Sequence, residues 1–415
     1  MADIRPFAAL RPIPQKTERV AALPYDVYSV EESRRIVAEN PESFLAIDQP
    51  QVNFPVDQQV SDEETFAKAG ELLRAAKNDG VFARDEQPQF YVYELTMNGR
   101  TQTGLVACAA VDDYLNGTIK KHENTRAEKE EGRVRHVREC SAQTGPIFLA
   151  YHQNDQVSNA CEAAKTGEPL FDFTGDDGVR HRGFALADPA AIEAVRAAFA
   201  DMDSVYIADG HHRNAAAARV AKEMRAENPD YTGEEPFNYY LCVLFPDSEL
   251  AILDYNRVLK SLNGLSATDF LAEAEKRFDV SEIGPEGNAE AARPQNKGEF
   301  SMLLDGTWYR LVVHPEDRSD DPVAGLDVSL LHDILLEPVL GIHDPRTDER
   351  IDFVGGIRGL DELERRCADD SVCAFALYPT SIAELFAVAD AGMLMPPKST
   401  WFEPKLRSGL FIHEI

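Results

Sequence analysis

The chain has 415 residues, more than one ordinary domain holds, with 44% hydrophobic residues to build cores. Its 72 Asp and Glu against 42 Lys and Arg give a formal net charge of −30. Such a surface repels nucleic acid and anionic membranes except where cations cluster locally, so general DNA binding is not expected.

In chain order, Pro6, Pro12, Pro14 and Pro24 break residues 1–30 into extended pieces and turns. Pro24-Tyr25-Asp26-Val27-Tyr28 leads to Ser29, an N-cap for a helix from Val30. Asp26 beside this turn is either a turn cap or a ligand or catalytic carboxylate. An amphipathic helix is expected over 61–84, around Phe66, Leu72 and Leu73. Two strand patterns follow, Phe90–Thr96 and Thr103–Val111, and Asn98-Gly99 between them signals a two-residue hairpin.

Seven Lys or Arg then fall between Lys120 and Arg138, a local exception in an acidic chain. Lys120, Lys121 and Arg126, with Lys129 and Arg133, form a candidate anion patch, and Glu123 lies among them. A solvated helix with i,i+4 pairs to Glu128, Glu130 and Glu131 is the competing reading. The run ends in the small polar turn Ser141-Ala-Gln-Thr-Gly-Pro146 before a strand from Ile147.

Ala-rich helices and a hairpin around Phe171–His181 precede the densest constellation, Asp209-Gly210-His211-His212-Arg213. Val205 to Ala208 read as a buried strand and Ala215 onward as a helix. A strand–turn–helix junction presents backbone N–H groups and a positive helix end, a place for an anion. Gly210 allows close backbone approach, Arg213 can grip phosphate oxygens, and His211 and His212 can donate or move protons. The plainer alternative is a helix-capping Asp209 with two packed histidines.

From about 250 the texture changes, giving an expected division into 1–248 and 249–415. The second part should hold an Asp305-Gly306 hairpin, a helix over 327–340 stopped by Pro338 and Gly341, strands at 351–356 and 375–380, and a helix over 381–391. The mixed order predicts an α+β fold with mixed sheets and helices. Met395-Pro-Pro-Lys398-Ser399-Thr400 has the polar tail of a phosphate loop without its glycines, so it is not a Walker A motif. Lys398, Ser399 and Thr400 remain candidate phosphate contacts, against an ordered tail held by Trp401 and Phe402. The six cysteines show no C-x-x-C spacing, so buried thiols of a reducing, cytoplasmic protein are expected, with no apolar run of membrane length.

Arg5-Pro-Phe, Pro24-Tyr-Asp-Val, Lys120-Lys-His-Glu, Gln143-Thr-Gly-Pro, Ala208-Asp-Gly-His-His-Arg and Met395-Pro-Pro-Lys-Ser-Thr together resemble the bacterial "domain of unknown function 1015" family. Asp209–Arg213 alone resembles the nucleotide-phosphate motif of the ParB/sulfiredoxin superfamily, which includes ParB-type CTPases, sulfiredoxins and free serine kinases. That resemblance implies a ParB/sulfiredoxin-like N-terminal part followed by a smaller α/β part. Sulfiredoxins carry a cysteine where His211 stands, and the helix-turn-helix and basic surface of ParB proteins find no counterpart here. The implied function is a nucleotide-dependent phosphotransferase using ATP or ADP, with Mg²⁺, on a small hydroxylated metabolite such as free L-serine. Gly210, Arg213, Lys120, Lys121 and Arg126 would bind phosphates, His211 and His212 would assist, and Asp209 or Glu123 would take the hydroxyl proton. Asp26 could hold the metal or a substrate amine. A non-catalytic nucleotide-binding regulator is the alternative.

Overall fold

The computed structural model describes residues 1–415. The chain divides into two compact units, Met1–Leu250 with Pro404–Ile415, and Ala251–Glu403. The expected boundary after 248 lies two residues from this division. The last twelve residues differ from expectation, because the tail belongs to the first unit. There His413–Glu414 pairs antiparallel with Ala142–Gln143, and Lys405 meets Asp209.

The first unit is built on a nine-stranded mixed sheet. Its strands are β1 (Ile4–Arg5), β2 (Phe90–Met97), β3 (Arg100–Ala110), β4 (Ile119–Lys120), β5 (Ile147–Tyr151), β6 (Phe171–Thr174), β7 (Arg180–Leu186), β8 (Val205–Asp209) and β9 (Tyr239–Pro246). The order is β4-β8-β5-β9-β3-β2-β7-β6, with β1 on β3. β4 runs parallel to β8, β5 parallel to β9, and the other pairs are antiparallel. The β2–β3 hairpin turns at Asn98 and Gly99, both at positive φ (51° and 77°), as a primed two-residue turn requires.

Helices of this unit include α1 (Val30–Glu39), α2 (Asp62–Asn78), α3 (Ala127–Cys140), α4 (Asp155–Ala164), α5 (Pro189–Ala200) and α6 (His211–Glu227). Ser29 and Ser61 start α1 and α2 with reciprocal capping boxes to Glu32 and Glu64. The helix expected over 61–84 ends at Asn78, because Gly80 takes a left-handed turn (φ 71°) and Phe82–Arg84 continues as a strand. β5 and β9 are buried along their whole length, which explains their unbroken apolar sequences. Ile147, Leu149, Val205, Ile207, Ala217, Ala221, Cys242 and Leu244 share one core cluster, which fixes α6 against the sheet.

The second unit carries a six-stranded antiparallel sheet of β10 (Tyr255–Leu259), β11 (Phe278–Pro285), β12 (Glu299–Leu304), β13 (Thr307–Val313), β14 (Ile351–Gly355) and β15 (Cys373–Leu377). The order is β11-β13-β12-β15-β10-β14. Asp305 and Gly306 turn the β12–β13 hairpin at positive φ, as their sequence indicates. The helix expected over 327–340 contains a π turn at His332–Leu336, ending two residues before Pro338, which lacks an N–H to donate backward. The fold is α+β. All six cysteines are free, five of them buried. No helix is long and apolar enough to cross a membrane.

Candidate functional site

β8 delivers the chain into α6 through Gly210, the N-cap residue, at φ 91° and ψ 28°. A side chain there would carry the strain of a left-handed backbone, so glycine is demanded by the turn. No side chain caps α6. Asp209 turns back instead: its Oδ1 accepts the Gly210 N–H at 2.8 Å and its Oδ2 accepts from Lys405 Nζ at 2.7 Å. The first amides of a helix have no intrahelical acceptor, so the N–H groups of His211 to Arg213 face outward with the positive end of the dipole.

The two histidines hold the preceding loop. The Arg126 N–H donates to His212 Nε2 at 3.1 Å, and the His122 N–H approaches His211 Nε2 at 3.5 Å. Both rings therefore accept at Nε2, which places their protons at Nδ1. His211 Nδ1 lies 3.6 Å from a Glu123 carboxylate oxygen. Burial, then the neighbouring His122, His212 and Lys121, push the His211 pKa well below its ordinary value. Burial, then Lys129, with Arg126 also contributing, lower that of His212. His122 is 1% exposed, its ring crosses His211 edge-on at 4.5 Å, and neither ring nitrogen has a protein partner. Burial brings its pKa down to about 4. Three neutral imidazoles thus line the start of α6.

Arg213, expected to grip phosphate, is instead committed inside the protein. Its Nη2 donates to Asp48 Oδ2 at 2.8 Å. Asp48 is fully buried and also accepts from Arg133 Nη1 at 3.2 Å and Ser408 Oγ at 2.8 Å. The Tyr25 ring lies 3.9 Å from the Arg133 guanidinium carbon and 5.2 Å from that of Arg213. Burial alone would raise the Asp48 pKa, but the two guanidiniums hold its carboxyl well below the usual range. One carboxylate between two guanidiniums leaves one positive charge uncompensated within the triad. Arg213 also lines a cavity of about 20 Å³ with Arg133, His136, Gln143, Thr144 and Gly145, room for one water. A Cβ on Gly145 would stand 2.8 Å from the Arg213 guanidinium and from Ser408 Oγ, so the Thr-Gly-Pro turn is glycine because an arginine packs on it.

Lys121 and Arg126 are exposed on the loop tied to the histidines, and Lys120 lies on β4 with its ammonium 5.8 Å from the Tyr206 ring centroid. Glu123 is part-exposed beside His211. Asp26 is exposed and follows Tyr25, whose ring lies against Arg133 and Arg213. Asp209 keeps a lowered pKa: packing opposes its charge, but Lys405 outweighs it. Lys398, Ser399 and Thr400 belong to the second unit. There Ser399 Oγ donates to the Pro396 carbonyl at 2.7 Å, so the hydroxyl is spent on its own loop.

Asp48 and Lys405 are site residues the sequence reading missed. An ionisable residue closing the apolar run Phe44-Leu-Ala-Ile47 was the available signal for Asp48. Nothing local marked Lys405.

Solved structures similar to this chain include a free serine kinase in complex with AMP, 12% identical, covering 72% of this chain and 86% of that one at a TM-score of 0.35. They also include a conserved hypothetical protein from Pyrococcus furiosus, 14% identical, covering 73% and 93% at 0.33. A third is SbnI with C-terminal truncation from Staphylococcus aureus, 12% identical, covering 72% and 82% at 0.37. No curated protein matches the sequence. A family profile matches residues 4–329, which leaves the Met395–Thr400 loop outside the match. The chain therefore belongs to the family described as "Protein of unknown function (DUF1015)".

Proposed function

We propose that this protein is a nucleotide-dependent phosphotransferase acting on a small hydroxylated metabolite, with free L-serine as the first candidate. The observation that carries the proposal is the uncapped start of α6 at Gly210, ringed by neutral His122, His211 and His212 and by Lys121 and Arg126. Outward amides and nearby cations suit the terminal phosphates of ATP or ADP. Neutral imidazoles can donate hydrogen bonds to phosphate oxygens without adding fixed charge.

In this reading the bond between the terminal phosphoryl group and its bridging oxygen breaks as a new bond forms to the acceptor oxygen. The acceptor proton passes to Glu123, whose carboxylate lies 3.6 Å from His211 Nδ1. Asp209 suits the base role less, because Lys405 already neutralises it. Asp26, exposed and facing His212 and Arg213, is the carboxylate that fits Mg²⁺, a cation held by one or two carboxylates plus phosphate oxygens. Arg213 acts at one remove, by fixing the first turn of α6 against Asp48.

Phosphoryl transfer from ATP, ADP and CTP to an acceptor panel including L-serine, with Mg²⁺, tests this. Acceptor-dependent product is expected from wild type, with at least a hundredfold loss in Glu123→Gln and in His212→Ala. No transfer from any donor overturns it. A second reading, a nucleotide-gated regulator, draws on the tie between the histidines and the Arg126 loop, through which a ligand at α6 would move that loop. It predicts nucleotide binding without acceptor-dependent turnover.

A further inference from the structure

The second unit contains a buried cation without a counter-charge. Arg257, in the middle of β10, is 4% exposed. Its Nη1 donates to the Tyr255 carbonyl and its Nη2 to the Lys398 carbonyl at 3.1 Å. Neither acceptor is charged, and three of its five N–H groups meet no protein acceptor. The nearby acids face elsewhere. Asp254 and Asp352 alternate onto the opposite side of the sheet from Arg257. Asp254 is spent on Asn256 and Arg293, and Asp352 on Arg366.

A second cation stands on the same face. Lys398 is exposed, at a left-handed φ of 60°, and its ammonium lies 5.4 Å from the Tyr255 ring centroid. That unfavourable backbone turns its carbonyl onto Arg257. Ser399 Oγ to Pro396, and Thr380 Oγ1 to the Ser399 carbonyl at 3.0 Å, hold the loop in this shape. The Phe353, Tyr255 and Trp401 rings form a continuous floor, with centroids 6.2 and 5.2 Å apart, and Phe353 lies 5.3 Å from the Arg257 guanidinium carbon. Two cations thus stand over aromatic rings on one face of the sheet, and the acid at its edge, Glu403, accepts from Trp401 Nε1 at 2.9 Å.

We propose that Arg257 and Lys398 form an oxyanion-binding site in the second unit, receiving a phosphate or carboxylate group of a small metabolite. The bound anion supplies the charge that the fold withholds from Arg257. Burial lowers the Arg257 pKa to about 10, with only Tyr255 opposing it. Arg257 lies within the family match and Lys398 beyond it, and the site does not depend on the chemistry proposed at α6.

The test is acylation of Lys398 in the full chain, read at that residue by peptide mass spectrometry against increasing inorganic phosphate and, separately, acetate. At least tenfold slower labelling of Lys398 is expected with the anion the site prefers, and the two arms distinguish phosphate from carboxylate. Arg257→Met should abolish the protection, Arg257→Lys should retain part of it, and His212→Ala, which disturbs the α6 site, should leave it unchanged. Equal labelling with and without both anions, or protection that survives in a folded Arg257→Met, overturns the proposal. If Arg257→Met does not fold, full protection in Arg257→Lys at unchanged anion affinity overturns it equally.

Discussion

The two units meet the same electrostatic problem, an arginine drawn into the fold, differently. In the first unit Arg133 and Arg213 share Asp48, so the protein supplies one counter-charge for the two guanidiniums. In the second, Arg257 has only carbonyls and an aromatic ring. A guanidinium paired inside the fold is a structural anchor, whereas one left unpaired invites a counter-ion from solvent. The sequence motif with the more conspicuous arginine, Asp-Gly-His-His-Arg, holds the anchored kind.

The sharpest way to break this contrast is to remove the internal acid. Asp48→Ala leaves two buried guanidiniums unopposed and should cost about 3–5 kcal/mol in urea unfolding. Arg257→Met removes an unpaired buried cation and replaces it with a side chain of similar length. It should leave stability within about 1 kcal/mol of wild type or raise it. A comparable loss in both variants would erase the distinction.

Acid separates the units in the same sense. Asp48 has a depressed folded pKa, so its contribution is complete above the unfolded carboxylate range near pH 4 and is lost as pH falls through the lower folded value. Buried histidines of the first unit act earlier. His122 and His413 are held down to about 4, and His136 and His181 to about 3, chiefly by burial. The unfolded chain takes up these protons near pH 6.5 while the folded unit refuses them. Stability is therefore full above pH 6.5 and falls below it, by up to about 1.4 kcal/mol per pH unit for each histidine. Urea midpoints from pH 7.5 to 4.5 should show this decline, flattened in His181→Phe.

A smaller effect is expected at the turn. Gly210→Ala should cost about 1–2 kcal/mol from left-handed backbone alone, because the added Cβ meets only ordinary contacts with Ile147 at 3.6 Å and beyond. On the proposed function, nucleotide affinity measured by calorimetry should fall further than stability does. Smallest of all, Lys398→Ala should change stability by less than about 0.5 kcal/mol, since the side chain is exposed. Its effect belongs to anion binding.

Much of the fold could be read locally. Ser29 as a cap, the Asn98-Gly99 and Asp305-Gly306 hairpins, and the Val205–Gly210–His211 junction each depend on a few contiguous residues. Chain direction and backbone preference act at that range, so those elements, the α+β class and the cationic exception around Lys120–Arg138 are legible in contiguous residues. The partners of the charged groups were decided elsewhere. Arg213 meets an acid 165 residues earlier, and Asp209 meets a lysine 196 residues later. His211 and His212 became acceptors for a loop about 90 residues upstream. Which acid faces which base is settled by burial and packing across the first unit's sheet, and no local pattern encodes that. Tertiary structure alone therefore set Arg213 against Asp48, and left Arg257, which no sequence motif marked, with carbonyls and a ring in place of an acid.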